Sequence, residues 1–182
     1  QALCRGVINY VEHIQQLWDV PRPVVDVDGN PVNDPATGLQ LDNQCTSCHA
    51  FPYIDPLTNM LAPPPAQLEL TDQPSIDEPD HVHSYRELLV ADNLQEVVGD
   101  QLVDVLDPTG DVDIDGNPIR DVVPIGSPAS IAGARASGQF FGVFEDPDHS
   151  HYNMLSGAER RLIAEWLDVG AQYYNNPFDV PQ

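Results

Sequence analysis

Cys45-Thr46-Ser47-Cys48-His49 is the stretch whose spacing specifies a chemistry. Two thiols separated by two residues and followed at once by an imidazole match the attachment motif of a c-type haem. Each thiol adds to one vinyl group of the porphyrin, and the adjacent histidine is held beneath the iron as an axial ligand. The other uses of such a cysteine pair need more than this chain has. A zinc ribbon requires a second pair, and the remaining thiol, Cys4, stands alone near the start. A thioredoxin-like dithiol belongs in a βαβ setting, which the surrounding residues do not spell. The expectation is one haem on Cys45 and Cys48 with His49 as proximal ligand. Cys4 reads as a buried thiol or as the disulfide partner of a segment or chain not included in this sequence.

Outward from the motif, apolar periodicity predicts four helices. Val7, Val11, Ile14 and Trp18 recur at helical spacing over about Arg5 to Trp18, and Pro21 and Pro23 stop that helix. Ser84 to Ala91 and Ala134 to Phe144 form two more, the latter carrying Phe140, Phe141 and Phe144 as core residues that could also border the haem. The last is the best marked. Ser156 and Glu159 spell a capping box, Leu162, Ile163, Trp166 and Leu167 make an apolar stripe, and Gly170 ends it. With 18 prolines and 12 glycines, loops should fill much of what lies between.

An internal echo interrupts this pattern: Val25-Asp-Val-Asp-Gly-Asn-Pro-Val-Asn-Asp34 and Val112-Asp-Ile-Asp-Gly-Asn-Pro-Ile-Arg-Asp121 agree at seven of ten positions. Short β-branched alternation on either side of Asp-Gly-Asn predicts inserted β-hairpins at about residues 24–34 and 111–122, with glycine supplying the positive φ of the turn. Asp111, Asp113, Asp115 and Gly116 also resemble the opening of a calcium loop, but Val122 stands where the bidentate glutamate belongs. A solvated acidic turn is preferred there over Ca2+.

The chain carries 29 acidic residues against seven arginines and no lysine, a formal net charge of −22. Such a surface repels phosphate backbones and anionic lipid, so neither nucleic acid nor a membrane surface is expected as a partner. The acidity reads as a solubilising surface ahead of a docking face for a basic partner. No run approaches the ~20 apolar residues of a membrane-spanning helix, so no membrane insertion is expected. Haem attachment to this motif takes place outside the cytoplasmic membrane, which predicts a periplasmic or extracellular location. The lack of an export signal at the start fits a removed leader or a chain cut from a larger parent protein.

The sixth iron ligand remains open on the motif alone. His13, His81, His83, His149, His151, Met60 and Met154 are the candidates. In small cytochromes the distal ligand comes from the segment just before the final helix, which favours residues 148–154, while His13, His81 and His83 read as surface histidines.

Several stretches resemble the haem-binding cytochrome domain related to the middle region of the hydrazine synthase alpha subunit. They are Ile8-Asn9-Tyr10-Val11-Glu12-His13-Ile14-Gln15-Gln16-Leu17-Trp18, then Cys45 to His49, then Ser84-Tyr85-Arg86-Glu87-Leu88-Leu89, and the closing Leu155 to Tyr174. In that family a histidine commonly stands four residues before the Leu-Ser that opens the last helix. The resemblance therefore implies His151 as distal ligand, with Met154 as fallback and His149 third, although Tyr152 and Asn153 depart from the small residues expected there.

The expected fold is a single mainly α domain over residues 1–182, like a class I cytochrome c with long loops and the two hairpins. The expected function is one-electron transfer between redox protein partners rather than catalysis. Two alternatives are a haem enzyme or small-ligand binder with an open distal site, and a cytochrome assembling into a conductive homo-oligomer or filament through Cys4 and the tail at Tyr173 to Pro177. Shared cofactor does not carry over hydrazine chemistry.

Overall fold

The apolar positions near the two ends of the chain pack on one another. In the computed structural model, which describes residues 8–35 and 37–174, a π-helical turn over Tyr10–Ile14 runs directly into α1 (Gln15–Trp18). Asn9 opens the turn by accepting the Glu12 N–H at 2.8 Å, and the Gln15 N–H closes the wide ring on the Tyr10 carbonyl. Tyr10, Ile14 and Trp18 are buried in one cluster with Leu88, Phe140, Phe144, Leu155, Ile163, Trp166 and Leu167. The rings of Tyr10 and Trp166 lie 5.2 Å apart, and Trp18 Nε1 donates to the buried Tyr10 hydroxyl at 2.9 Å. The predicted start at Arg5, together with Val7, lies outside the described residues, as do Cys4 and the tail beyond Tyr174.

Each further helix presents a short apolar face to this cluster. They are α2 (Cys45–Cys48), α3 (His83–Leu89), α4 (Gly138–Glu145), which follows a 3-10 turn over Ala134–Ser137, and α5 (Gly157–Asp168). The Ser156–Glu159 capping box opens α5: the Glu159 N–H donates to Ser156 Oγ at 3.2 Å, and the Ser156 N–H donates to Glu159 Oε2 at 2.7 Å. Gly170, at φ 97°, closes it, with the Gly170 N–H on the Leu167 carbonyl and the Ala171 N–H on that of Trp166.

A mainly α fold is nevertheless not what the chain adopts. Among the described residues the strands form four separate two-stranded antiparallel sheets: β1 (Tyr53–Asp55) with β2 (Met60–Ala62), β3 (Asp92–Asn93) with β8 (Pro124–Ile125), β4 (Gln95–Val98) with β5 (Gln101–Asp104), and β6 (Leu106–Val112) with β7 (Pro118–Val122). The segments read as loops lack a 3.6-residue period but carry short two-residue alternations. In β4 and β5 half-buried and exposed positions alternate, pairing Glu96 with Val103 and Val97 with Leu102. Helices α1 and α2 span only four residues each, so helix does not dominate the architecture.

The repeated sequence makes the same turn twice. Asp26 Oδ1 accepts the N–H groups of Asp28 and Asn30, both at 2.9 Å, and Asp113 Oδ1 accepts those of Asp115 and Asn117, both at 2.9 Å. Gly29 and Gly116 each take φ 83°. The first copy continues through bridges Val25–Pro31, Asn33–Gln40 and Pro23–Asp42, and the second is the tip of β6–β7, whose residues are exposed throughout. Asp111, Asp113 and Asp115 are thus exposed turn residues. Among the described residues no helix is long and apolar enough to cross a membrane, and no three His, Cys, Asp or Glu side chains gather as a metal-ion site.

Candidate functional site

The single turn of α2 presents the motif. The His49 N–H closes it on the Cys45 carbonyl at 2.9 Å, and Thr46 ties it to the end of α1 by donating to Asp19 Oδ1 at 2.9 Å. Cys45 and Cys48 are both free thiols, the first half-buried and the second exposed. Burial pushes the Cys45 thiol pKa up, against a smaller pull from the Arg22 charge.

His49 is buried, and its ring is fixed from behind. Nδ1 donates to the Leu68 carbonyl at 2.9 Å, and the His49 carbonyl accepts the Leu70 N–H at 2.7 Å. A buried polar chain braces this segment: Gln15 Nε2 donates to the Leu70 carbonyl at 3.2 Å, and Ser84 Oγ donates to Gln15 Oε1. Desolvation lowers the His49 pKa, so its imidazole is neutral with a lone pair on Nε2.

Across a cavity of about 390 Å³ stands His151, on the turn that leads into α5. Its Nε2 lies 3.5 Å from that of His49, the rings 5.7 Å apart. His149 Nδ1 accepts the His151 N–H at 3.2 Å, so it offers a lone pair and no proton to His151 Nδ1 at 3.3 Å. Ser150 Oγ, 3.2 Å from the same nitrogen, can also accept. The Nδ1–H form of His151 satisfies both contacts. In that form the Nε2 lone pairs of His49 and His151 face each other, a pairing that could hold an electron-pair acceptor. Burial, then the neighbouring His49 and His149, hold the His151 pKa down.

The remaining walls are mostly apolar, from Trp18, Leu68, Leu70, Pro128, Phe140, Val143 and Phe144. The volume falls within the ~300–1,000 Å³ of small-molecule and cofactor sites. Cys45, Cys48, His49, His149, His151 and Met154, six candidates from the sequence, all line this one cavity. The others lie elsewhere: His13 beside Asn9, His81 among Tyr85 and Tyr173, His83 between Glu69 and Glu87, and Met60 exposed on β2.

The residues present fit a haem. The thiols stand on the cavity wall beside the imidazole that follows them, and the nitrogens are about half an ångström short of the ~4 Å that two metal–imidazole bonds of ~2.0 Å would set. Sequence reading missed Leu68, whose carbonyl orients His49, and Arg22. Arg22 Nε donates to the Met154 carbonyl at 2.8 Å, Nη1 to that of Val20 at 2.8 Å, and Nη2 to that of Leu17 at 3.0 Å and to Glu159 Oε1 at 2.8 Å. The signal for Arg22 was a lone cation between two prolines in a strongly acidic chain; for Leu68 there was only the Leu-Glu-Leu alternation. No family model, curated protein or solved structure matches the chain, so the chemistry is argued from these residues.

Proposed function

We propose that this chain is a c-type cytochrome, of mixed helix and strand, that passes single electrons between redox proteins in the periplasm or outside the cell. Cys45 and Cys48 would hold one haem through thioether bonds, and His49 and His151 would ligate its iron. The reading rests on Nε2 of His49 and Nε2 of His151, 3.5 Å apart in a mostly apolar cavity whose wall also carries Cys45 and Cys48. The resemblance to the cytochrome domain related to hydrazine synthase alpha subunits is kept for cofactor binding alone.

The bound haem would supply a one-electron iron couple. The residues around it do the rest. Cys45 and Cys48 tether it. Leu68 accepts the Nδ1 proton of His49, which fixes the ring and makes Nε2 a better donor. His151 would be the second iron ligand, which would exclude exogenous ligands and substrates. Phe140, Phe144, Leu68 and Leu70 give the cavity an apolar wall.

The test is the visible spectrum of the holoprotein, oxidised, reduced, and reduced under carbon monoxide. Haem that survives denaturing electrophoresis and a reduced spectrum unmoved by carbon monoxide are expected. A large carbon monoxide shift would replace electron transfer with an open-site enzyme or sensor, and absence of covalent haem would overturn the reading altogether.

A further inference from the structure

A second cavity, of about 280 Å³, lies between α3 and the strands β3 to β5 and shares no lining residue with the first. The chain between them alternates: Ala66, Leu68 and Leu70 face the apolar cavity, while Gln67 and Glu69 face the polar one.

Two orphaned groups line the second cavity. Arg86 Nε is buried without a hydrogen-bond partner, and the Arg86 side chain makes no hydrogen bond or ion pair among the described residues. Gln67 Oε1 is likewise buried and unpaired, while its amide nitrogen is held by the Gln95 carbonyl at 2.8 Å. In a chain with 29 carboxylates and seven arginines, a half-buried guanidinium without a partner is an anomaly, because a desolvated cation is costly unless an anion meets it. The planar fork of Arg86 suits a carboxylate.

A bare anion does not suit the rest of the wall. Glu69, Asp77, Glu87, Asp92 and Asp104 also line the cavity, opposed only by Arg86 and by His83, which is already placed between Glu69 and Glu87. Asp104 is held by Asn93 Nδ2 at 2.9 Å. Surplus carboxylates and the orphaned Gln67 acceptor favour N–H donors that carry positive charge.

We infer that this cavity binds a small zwitterion of the amino-acid class, its carboxylate on Arg86 and its ammonium facing Gln67 and the acidic wall. The inference does not depend on haem. Isothermal titration and amide chemical-shift mapping of the intact chain with glycine, L-lysine, sodium acetate and 1,4-diaminobutane test it. Saturable binding of at least one amino acid, with shifts at Gln67, Arg86 and Asp92, is expected. Acetate and diaminobutane should each bind at least about tenfold more weakly, and Arg86→Gln should cost at least about tenfold. Asp92→Asn, read in the same way, should also weaken amino-acid binding and serves if Arg86→Gln does not fold. The inference fails if neither amino acid binds, if acetate or diaminobutane binds as well, or if the variants leave affinity unchanged.

Discussion

At the residue scale, the placement of His151 and Met154 separates the two candidate distal ligands. His151 presents Nε2 to His49, whereas Met154 lines the same cavity and is tied down through its backbone carbonyl by Arg22. His151→Ala is therefore expected to give a reduced holoprotein that binds carbon monoxide, while Met154→Ala leaves the spectrum without a carbon monoxide shift; the reverse pattern would make Met154 the ligand. His83 offers a separate titration. Its hydrogen bond to Glu87, helped by the Glu69 charge and opposed by burial, raises its pKa above 6.5. A raised pKa means that the folded state holds the proton more tightly, so the stabilisation is complete below the unfolded value and fades as pH rises through the native one. Thermal melts of the protein and of His83→Gln should differ most at about pH 5.5 and converge by about pH 8.5. A gap that widens with pH would refute the assignment.

At the scale of elements, the distal loop is fixed by its neighbours. Arg22 joins the end of α1, the Met154 carbonyl and the capping box of α5, while Arg160 Nη1 and the Asn153 N–H both reach the Phe144 carbonyl at the end of α4, at 3.0 and 3.2 Å. Losing the cap with Ser156→Ala should cost about 1 kcal/mol in denaturant titration. Arg22→Gln should leave the haem attached but loosen the loop, read as partial carbon monoxide binding in the reduced holoprotein. A close approach holds the 3-10 turn to α5: a Cβ on Gly133, at φ 105°, would come 2.8 Å from Asp168 Oδ1, the atom that accepts the Ala134 N–H. Gly133→Ala should accordingly lower the melting temperature, because both backbone angle and contact resist the methyl.

At the scale of the whole molecule, a net charge of −22 on 182 residues sets a self-repulsion that ions screen. Raising sodium chloride from about 0.02 to 0.5 M should raise the melting temperature, since the Debye length contracts from about 20 Å to a few ångströms. A flat profile would show that the acidic groups are spaced widely enough not to oppose folding. The fold depends on one buried cluster, and Ile163, 1% exposed within it, should cost about 2–5 kcal/mol on truncation to alanine. The β6–β7 hairpin, exposed along both strands, should by contrast tolerate substitution at Ile114 or Ile119 with little change in stability.

Legibility in the sequence followed the range of the interactions concerned. The capping box and glycine stop of α5 and the twin Asp-Gly-Asn turns were readable from Ser156–Gly170 and residues 25–34 and 112–121, because their contacts close within a few residues. The strands of residues 53–62 and 92–104, and the pairing of β3 with β8, were not, since two- to four-residue alternations signal little until a partner strand is in register. The approach of His151 to His49, and the places of Leu68 and Arg22 behind the site, rest on contacts 102, 19 and 132 residues apart along the chain, which no local pattern shows. Local sequence determined the Cys45–His49 spacing, the caps and the turns; only tertiary packing decided that His151 meets His49, because that depends on where distant loops are held.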